Sequence, residues 1–396
     1  MERLELLPEA LRGIVSGYWQ QLQDSPEFQA QDLAALLAKD PAFIDEINRV
    51  FAASEFVATT LIREPILLFA VHESRQLQLI QYQQLLEVTL SDLADLDFKS
   101  GSEQLKRQLR RFHRREFIAI LWRDFCGYLD VHQVCTQMSA LADACLQCSL
   151  DLLHQWSRLE WGEPAAEDGP QSLVIIGMGK LGARELNVSS DIDLIFAYPR
   201  PGETKPGGDT SSITNQQYFT RLSQRLIDAL DTVTADGFVF RVDMRLRPYG
   251  SEGALVLSFD AMEDYYQNEG RDWERYALIK GRIVAGDQAG GKELLKRLNP
   301  FVYRRYLDFG MFESLRDMKV QINKQSRRGK LDTDIKLGPG GIREVEFIVQ
   351  ALQLVHGGRD KLLQTPSITE TMEQLQKRGY LPDSAVTELL MAYEFL

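Results

Sequence analysis

The sequence predicts an α+β protein. It is mostly helical, with a central domain built on a mixed β-sheet and helical domains on both sides. Three observations predict this. Residues 1–160 carry apolar residues at three- and four-residue spacing, with no strand signal. Between about 165 and 290, short apolar runs are separated by Gly-rich turns. From about 291 the helical pattern returns. The expected domains are therefore 1–164, 165–290 and 291–396.

The composition agrees. The 396 residues are 44% hydrophobic and 26% charged, and the mean hydropathy is -0.24. These values exclude a disordered, collagenous or disulfide-scaffold protein. No apolar run reaches the ~18–20 residues that a membrane span needs. The N-terminal MERLELLPEALRG carries acids and no apolar stretch, unlike a secretory signal. Four cysteines without an export signal suit a reducing cytoplasm, where the chain is expected to reside. The net charge is -12, and residues 1–170 hold 15 Lys and Arg against 26 Asp and Glu. Such an acidic balance argues against bulk binding to nucleic acid.

In the first domain, Leu36, Leu37 and the stretches 82–97 and 139–156 show helical spacing. Pro8, Pro26, Pro41 and Pro65 stand where helices begin or are interrupted. The run Lys106 to Phe117 places Lys106, Arg107, Arg110, Arg111, Arg114 and Arg115 at helical spacing. It reads first as a solvated face, and second as a surface for an acidic partner or phosphate. Residues 162–172 read as a linker.

In the central domain, 172–176 is a buried strand that ends in glycines, and 191–198 is a second strand. Residues 200–212 form a Gly/Pro loop, expected to be mobile, and 214–233 an amphipathic helix. The alternation at 238–246 predicts a third strand, and 254–259 a fourth. Asp260 and Glu263 suggest a capping box that opens a helix running towards Ile283. Helices follow from 291, interrupted at Gly338–Gly341. The sequence stops at Ala392–Leu396 inside an apparent helix, as expected of a piece of a longer polypeptide.

The chemistry concentrates in Ile176 to Phe196, IGMGKLGARELNVSSDIDLIF. Gly177, Gly179 and Gly182 spell a dinucleotide fingerprint, but the acid expected at the far end of the second strand is replaced by Ala197, Tyr198 and Pro199. The competing reading is a metal-dependent nucleotidyl-transfer site. Asp191 and Asp193 are two apart on a strand, so both carboxylates share a face. Their hard oxygens suit Mg²⁺ or Mn²⁺. In FVFRVDMRLR, Arg241, Asp243, Arg245 and Arg247 alternate with apolar residues. Asp243 offers a third carboxylate, and the arginines suit phosphate oxygens. Small residues in the Gly loop let backbone N–H groups approach a phosphate, and Lys180 adds a positive charge. No Walker A string is present.

Gly338–Gly341 with Arg343 and Glu344 is either a second phosphate approach or a plain turn. Asp272, Arg275 and Lys280 either line the site or form salt bridges beside a packed Trp273. Cys145 and Cys148 lack the further ligands that zinc would need and read as core. None of the five histidines is assigned.

The order GMGKLG, SDIDL, VDMRLRP resembles the nucleotidyltransferase superfamily. More narrowly, GMGKLGARELNVSSDIDLIF, FVFRVDMRLRPYG, YYQNEGRDWERYALIK and KLGPGGIREVEFIVQ resemble the glutamine synthetase adenylyltransferase/adenylyl-removing enzymes. The likeness covers about Ser172 to Gln353. Lys180 stands where many superfamily members have serine. The resemblance implies a nucleotidyltransferase-type central sheet. It implies catalytic and metal roles for Asp191, Asp193 and Asp243. Nucleotide or phosphate contacts would come from Gly177, Gly179, Lys180, Gly182, Ser190, Arg241, Arg245 and Arg247. Support from outside would come from Arg271, Lys280, Gly341 and Arg343.

The wording GMGKLG, ELN and SSDIDLIF resembles the N-terminal, adenylyl-removing half of that family's enzymes. This implies phosphorolysis of AMP-tyrosine on adenylylated glutamine synthetase, with control by the PII signalling protein and its uridylylated form. Nucleotide and inorganic phosphate would be the small partners, with no nucleic acid or membrane partner. The rivals are adenylyl addition from ATP, nucleotide addition to RNA, and a regulatory docking module without catalysis. A chain at -12 does not favour RNA.

Overall fold

The computed structural model describes residues 3–30, 33–77, 80–205, 211–304 and 341–395, with isolated positions between 313 and 340. The N-terminal part is helical as expected: α1 (Glu9–Asp24), α2 (Pro26–Ala30), α3 (Leu33–Lys39), α4 (Pro41–Ala53), α5 (Glu55–Arg63), α6 (Leu67–Ser74) and α7 (Tyr82–Leu90) lead to two long helices. These are α8 (Phe98–Phe125) and α9 (Val131–Trp161). Both long helices open on capping boxes, Asp97 with Ser100 and Asp130 with Gln133, which satisfy N–H groups the first turn leaves unpaired. Pro26 and Pro41 each occupy a first helical position, where a missing N–H costs nothing.

Residues 163–170 are not a plain linker. They form the hairpin β1 (Glu163–Ala166) and β2 (Gly169–Pro170), extended by β5 (Glu203–Lys205). The central sheet contains β3 (Val174–Met178), β4 (Ile192–Tyr198), β6 (Val242–Asp243), β7 (Val256–Ser258) and β8 (Arg282–Gly286). The order is β6-β4-β3-β8, and β7 pairs further along the same edge of β4. β3 is antiparallel to β4 and β8, while β6 and β7 run parallel to β4. The sheet is thus mixed, and the α+β reading holds. The short α10 (Gly179–Gly182) joins β3 towards β4, and α11 (Asn215–Asp231) follows β5. Of the 200–212 loop, 206–210 lie outside the described residues.

Three expectations are corrected. The third strand does not run over 238–246 but shrinks to Val242–Asp243. Before it, the N–H groups of Val239 and Phe240 both turn to the Leu230 carbonyl at the end of α11. After it, the Asp243 carboxylate accepts the Arg245 N–H at 2.8 Å, a side-chain turn that ends the strand. The helix after 260 does not reach Ile283. It divides into α12 (Phe259–Asn268) and α13 (Asp272–Leu278), and Ile283 lies in β8. Its N-cap is Ser258, whose hydroxyl accepts the Ala261 N–H, and Asp260 instead pairs with Arg297.

The remaining helices are α14 (Gln288–Val302), α15 (Ile342–His356), α16 (Ile368–Lys377) and α17 (Asp383–Phe395). One sheet face, with Ile175, Leu194 and Phe196, packs into a core shared with α7, α8, α9 and α11. The other face, with Ile176, Ile195 and Ala197, packs against α12, α13 and α14. The expected boundary at 165 falls within β1, just past the end of α9, and the core of that helix continues into the sheet. Helices α1–α6 pack with the end of α8, and α15–α17 share a small core of their own.

Burying half-apolar elements against one another in this way is what the pattern of each segment demands. Cys145 and Cys148 are buried in the α9 core, as expected, and burial pushes both thiols up from their ordinary range. Trp273, in contrast, is substantially exposed rather than packed.

Candidate active site

The site lies at one end of the central sheet. β4 begins at Ile192, just after the turn in which the Ser190 N–H bonds the Asn187 carbonyl. Asp193 stands opposite Met178 on β3 and beside Asp243 on the parallel strand β6. Register therefore brings two carboxylates together on adjacent strands. Asp191 precedes β4 by one residue, and the Ile192 N–H bonds the Arg241 carbonyl at 2.9 Å. Ile192 and Leu194 point the other way, into the core.

The Gly loop closes on the same place. Gly179 has φ +55°, and a Cβ there would lie 2.6 Å from Asp193 Oδ2. A Cβ on Gly182 would lie 1.8 Å from the Lys280 carbonyl oxygen. The first glycine admits the carboxylate, and the second admits the chain that leads into β8.

Two arginines occupy the acids. Arg245 binds Asp243 through Nε at 2.8 and 3.0 Å and through Nη2, which holds the Asp243 carboxyl below its usual range. Arg241 bonds Asp191 through Nε and the Ser189 carbonyl through Nη2 at 2.7 Å. Both arginine side chains are more than half exposed, whereas the Asp243 side chain is 14% exposed. Arg247 does not share their face as the alternation predicted. After the turn at Asp243 its guanidinium bonds the carbonyls of Met244 at 2.7 Å, Ser251 at 3.0 Å and Gly253 at 3.2 Å. It fastens its own loop.

Among the described residues, no three His, Cys, Asp or Glu side chains are gathered as a metal-ligand group. Guanidinium charge sits where Asp191 and Asp243 would otherwise repel. The donor type still suits a hard divalent cation: three carboxylates, two of them side by side on parallel strands.

Lys180 and Lys280 are gathered elsewhere. Glu346 Oε1, in the first turns of α15, pairs with Lys180 Nζ at 3.0 Å and Lys280 Nζ at 2.7 Å. Glu185 Oε2 accepts Lys280 at 3.1 Å and the Tyr393 hydroxyl at 2.9 Å. Tyr393 in turn accepts from Lys180 at 2.9 Å. Burial alone would raise the Glu346 carboxyl, but the ammonium groups of Lys280 and Lys180 hold it down, to about 2. Burial opposes the charge on Lys280, yet Glu346 and Glu185 outweigh it and keep that ammonium above its ordinary range. Sequence reading passed over Glu185, Glu346 and Tyr393. The signal available was two lysines set in otherwise apolar stretches, of which Lys280 is buried and requires acidic partners.

The other expected residues take structural contacts. The Arg271 N–H bonds Glu274 Oε2 at 2.9 Å at the start of α13. Arg275 is buried, bonded to the Phe301 carbonyl and paired with Asp272, so the salt-bridge reading of this motif holds. Gly341 directly precedes α15, and Arg343 lies in its first turn. Glu344 accepts the Gly340 N–H at 2.9 Å and pairs with Lys319.

A family model described as glutamate-ammonia ligase adenylyltransferase matches residues 44–297. The chain belongs to this family. Its match begins within the helical part and runs through the whole central sheet, consistent with the shared core. A second family model, described as PII-uridylyltransferase, matches residues 316–396. A relative from Pseudomonas aeruginosa is 50% identical over 93% of this chain and 37% of its own length. One from Pseudomonas putida is 48% identical over 98% of this chain and 40% of its own. One from Hahella chejuensis is 48% identical over 99% and 40%. Each is named a bifunctional glutamine synthetase adenylyltransferase/adenylyl-removing enzyme. The chain spans about two-fifths of the length of these curated relatives. Among the described residues, no helix is long and apolar enough to cross a membrane.

Proposed function

We propose that this chain removes AMP from adenylylated glutamine synthetase by phosphorolysis, giving ADP and the unmodified tyrosine, in the cytoplasm and in the control of nitrogen assimilation. The observation that carries the reading is the register pair Asp193–Asp243, with Asp191 two residues ahead and Gly179 packed on Asp193. The removal direction is supported by the wording GMGKLG, ELN and SSDIDLIF, which resembles the adenylyl-removing half. Adenylyl addition is the alternative, since the names of the relatives carry both activities.

Asp191, Asp193 and Asp243 would hold Mg²⁺ or Mn²⁺, which when bound supplies charge neutralisation to phosphate oxygens. The chain's own residues do the rest. The Gly loop brings backbone close to the α-phosphate. Arg241 and Arg245, exposed and already aimed at carboxylates, receive the incoming phosphate anion. A phosphate oxygen bonds to the α-phosphorus, the bond from phosphorus to the tyrosyl oxygen breaks, and that oxygen takes up a proton. The leaving phenol has a free pKa near 10, so charge support at the departing oxygen matters more than a dedicated base. The protein partners are adenylylated glutamine synthetase, PII and uridylylated PII. The match of 316–396 to a PII-uridylyltransferase model supports the second and third.

The test uses AMP-labelled glutamine synthetase, Mg²⁺ and this chain, with and without inorganic phosphate, and identifies the released nucleotide. Phosphate-dependent ADP that Asp191→Asn abolishes is expected. Labelling of glutamine synthetase from ATP by the same preparation would overturn the direction and leave the carboxylate site standing. Turnover that survives both Asp191→Asn and Asp193→Asn would overturn the site.

A further inference from the structure

The buried network between the Gly loop and the C-terminal helices carries an inference of its own. We infer that Glu346 and Tyr393 are positioning residues for the Gly loop, acting through Lys180, so that α15–α17 form a working part of the phosphate site. The inference rests on the reading of that loop as phosphate-binding.

The geometry is closed. Glu346 Oε1 joins Lys180 to Lys280 at 3.0 and 2.7 Å. The Tyr393 hydroxyl joins Lys180 to Glu185, both at 2.9 Å. Glu185 completes the circuit through Lys280 at 3.1 Å, and its other oxygen accepts the Ile368 N–H at the start of α16 at 2.9 Å. Two cations, two carboxylates and a phenol thus satisfy one another, with Lys280 and Glu185 buried and Lys180 and Tyr393 half-buried. The Glu346 side chain is 15% exposed.

The network grips the loop at three points. Lys180 lies inside α10. Lys280 places its carbonyl where a Gly182 side chain would be. Glu185 follows the loop, and its N–H bonds the Lys180 carbonyl at 2.8 Å. Each of α15, α16 and α17 supplies one partner: Glu346, the Ile368 N–H and Tyr393. Lys180 is then an anchor whose ammonium fixes the loop from behind, and the backbone of Gly179, which packs on Asp193, inherits the placement. A buried ion network is poor evidence for extra stability, because desolvation offsets attraction. Its use is to fix one arrangement of the parts it joins.

The alternative is that the network merely closes the interface between two cores. A pair of measurements separates the readings. The first is hydrogen exchange of the peptide spanning 177–186 in wild type, Tyr393→Phe, Glu346→Gln and Lys180→Met. The second is kcat and the KM for phosphate in the same proteins and in the double variant Lys180→Met/Glu346→Gln. Tyr393→Phe removes one hydroxyl and keeps the ring packed on Lys180, so it serves if Glu346→Gln does not fold.

Exchange in 177–186 is expected to rise at least tenfold in each variant. kcat should fall at least tenfold, while KM for phosphate changes less than threefold. In the Lys180→Met background, Glu346→Gln should have no further effect on kcat. Unchanged exchange in 177–186 in Tyr393→Phe, or an equal fall in kcat with and without Lys180, would overturn the inference. The exchange readout needs no turnover. If the chain proves not to release ADP while exchange still follows the network, the functional reading fails and the coupling stands.

Discussion

Gly179 and Asp193 are in direct contact across the site: a Cβ on the glycine would lie 2.6 Å from the Asp193 carboxylate, and the glycine sits at φ +55°. Two demands therefore meet at one residue. The left-handed backbone costs an L-residue roughly 1–2 kcal/mol, and the side chain would displace a proposed metal ligand. Gly179→Ala is expected to lower stability by about 1–2 kcal/mol and to cut turnover far more, by at least two orders of magnitude. Thermal unfolding and ADP release on the same preparation check this. Near-normal turnover in a folded variant would show that Asp193 can move without penalty.

Arg245 and Asp243 give a pH-dependent prediction. The hydrogen bonds from Arg245 hold the Asp243 carboxyl down, so this carboxylate stays ionised to a lower pH than an ordinary one. Its stabilising share is present above the unfolded value and is lost as pH falls through the lower folded one. Arg245→Ala should let the carboxyl rise back towards its ordinary range and move the acid limb of the activity profile to higher pH. The effect on stability should be small, because the Arg245 side chain is 78% exposed. The apparent requirement for phosphate should rise. A phosphate dependence that does not change would remove Arg245 from anion capture.

Glu346 predicts how the C-terminal helices respond to acid. Its carboxyl is held down to about 2, so its contribution is complete above the unfolded value near 4.5 and is lost between there and about 2. Lys280 works in the opposite sense, its contribution being lost only as pH rises through a value above its ordinary one. The contacts of α15–α17 with the Gly loop should therefore persist at pH 4. Chemical unfolding at pH 7, 4 and 2.5 should show Glu346→Gln most destabilised at pH 7, somewhat less at pH 4, and with most of the difference gone at pH 2.5. A constant difference at all three would mean that the charge on Glu346 contributes nothing.

The sequence made the carboxylates legible because strand register is local. The spacing of Asp191 and Asp193 marks them as a pair, and the alternation around Asp243 points to a neighbouring strand, where register sets it beside Asp193 while Asp191 stands just before β4. The same alternation misled at Arg247, since the Asp243 side chain ends the strand it helps to define. β8 was hidden because IVAG follows a helix without a strong turn signal and gains its strand partners only from β3, about a hundred residues earlier. Glu185, Glu346 and Tyr393 were illegible as a group. Their meeting depends on α15–α17 docking on the Gly loop, and no periodicity reports a contact across 213 residues such as that of Lys180 with Tyr393.

Arg110 shows the same gap in the basic run of α8, and it yields the last prediction. The run read as a solvated face or a partner surface, yet Arg110 is only 1% exposed. Its guanidinium bonds the carbonyls of Gly237 at 2.8 Å, Ala229 at 3.1 Å and, at closer range, Thr232. Beside it Lys106 pairs with Asp228, and Arg114 with Glu64 and Asp236. Lys106, Arg110 and Arg114 therefore stitch α8 to the end of α11 and to the segment that leads into Arg241, while Arg107 and Arg111 lie exposed as a solvated face would. Arg110→Met keeps much of the volume but removes the donor to the Ala229 and Thr232 carbonyls at the end of α11, while the Gly237 carbonyl keeps the Thr234 N–H. A loss of about 1–3 kcal/mol follows, the cost of leaving one buried carbonyl unsatisfied. Arg110→Lys should recover only part of it, because an ammonium cannot reproduce the planar fork. Turnover of the folded fraction, measured well below the melting temperature, should fall less than tenfold, since Arg110 touches neither the carboxylates nor the Gly loop. A melting temperature unchanged in Arg110→Met would mean that apolar packing, not this guanidinium, joins the helical part to the sheet.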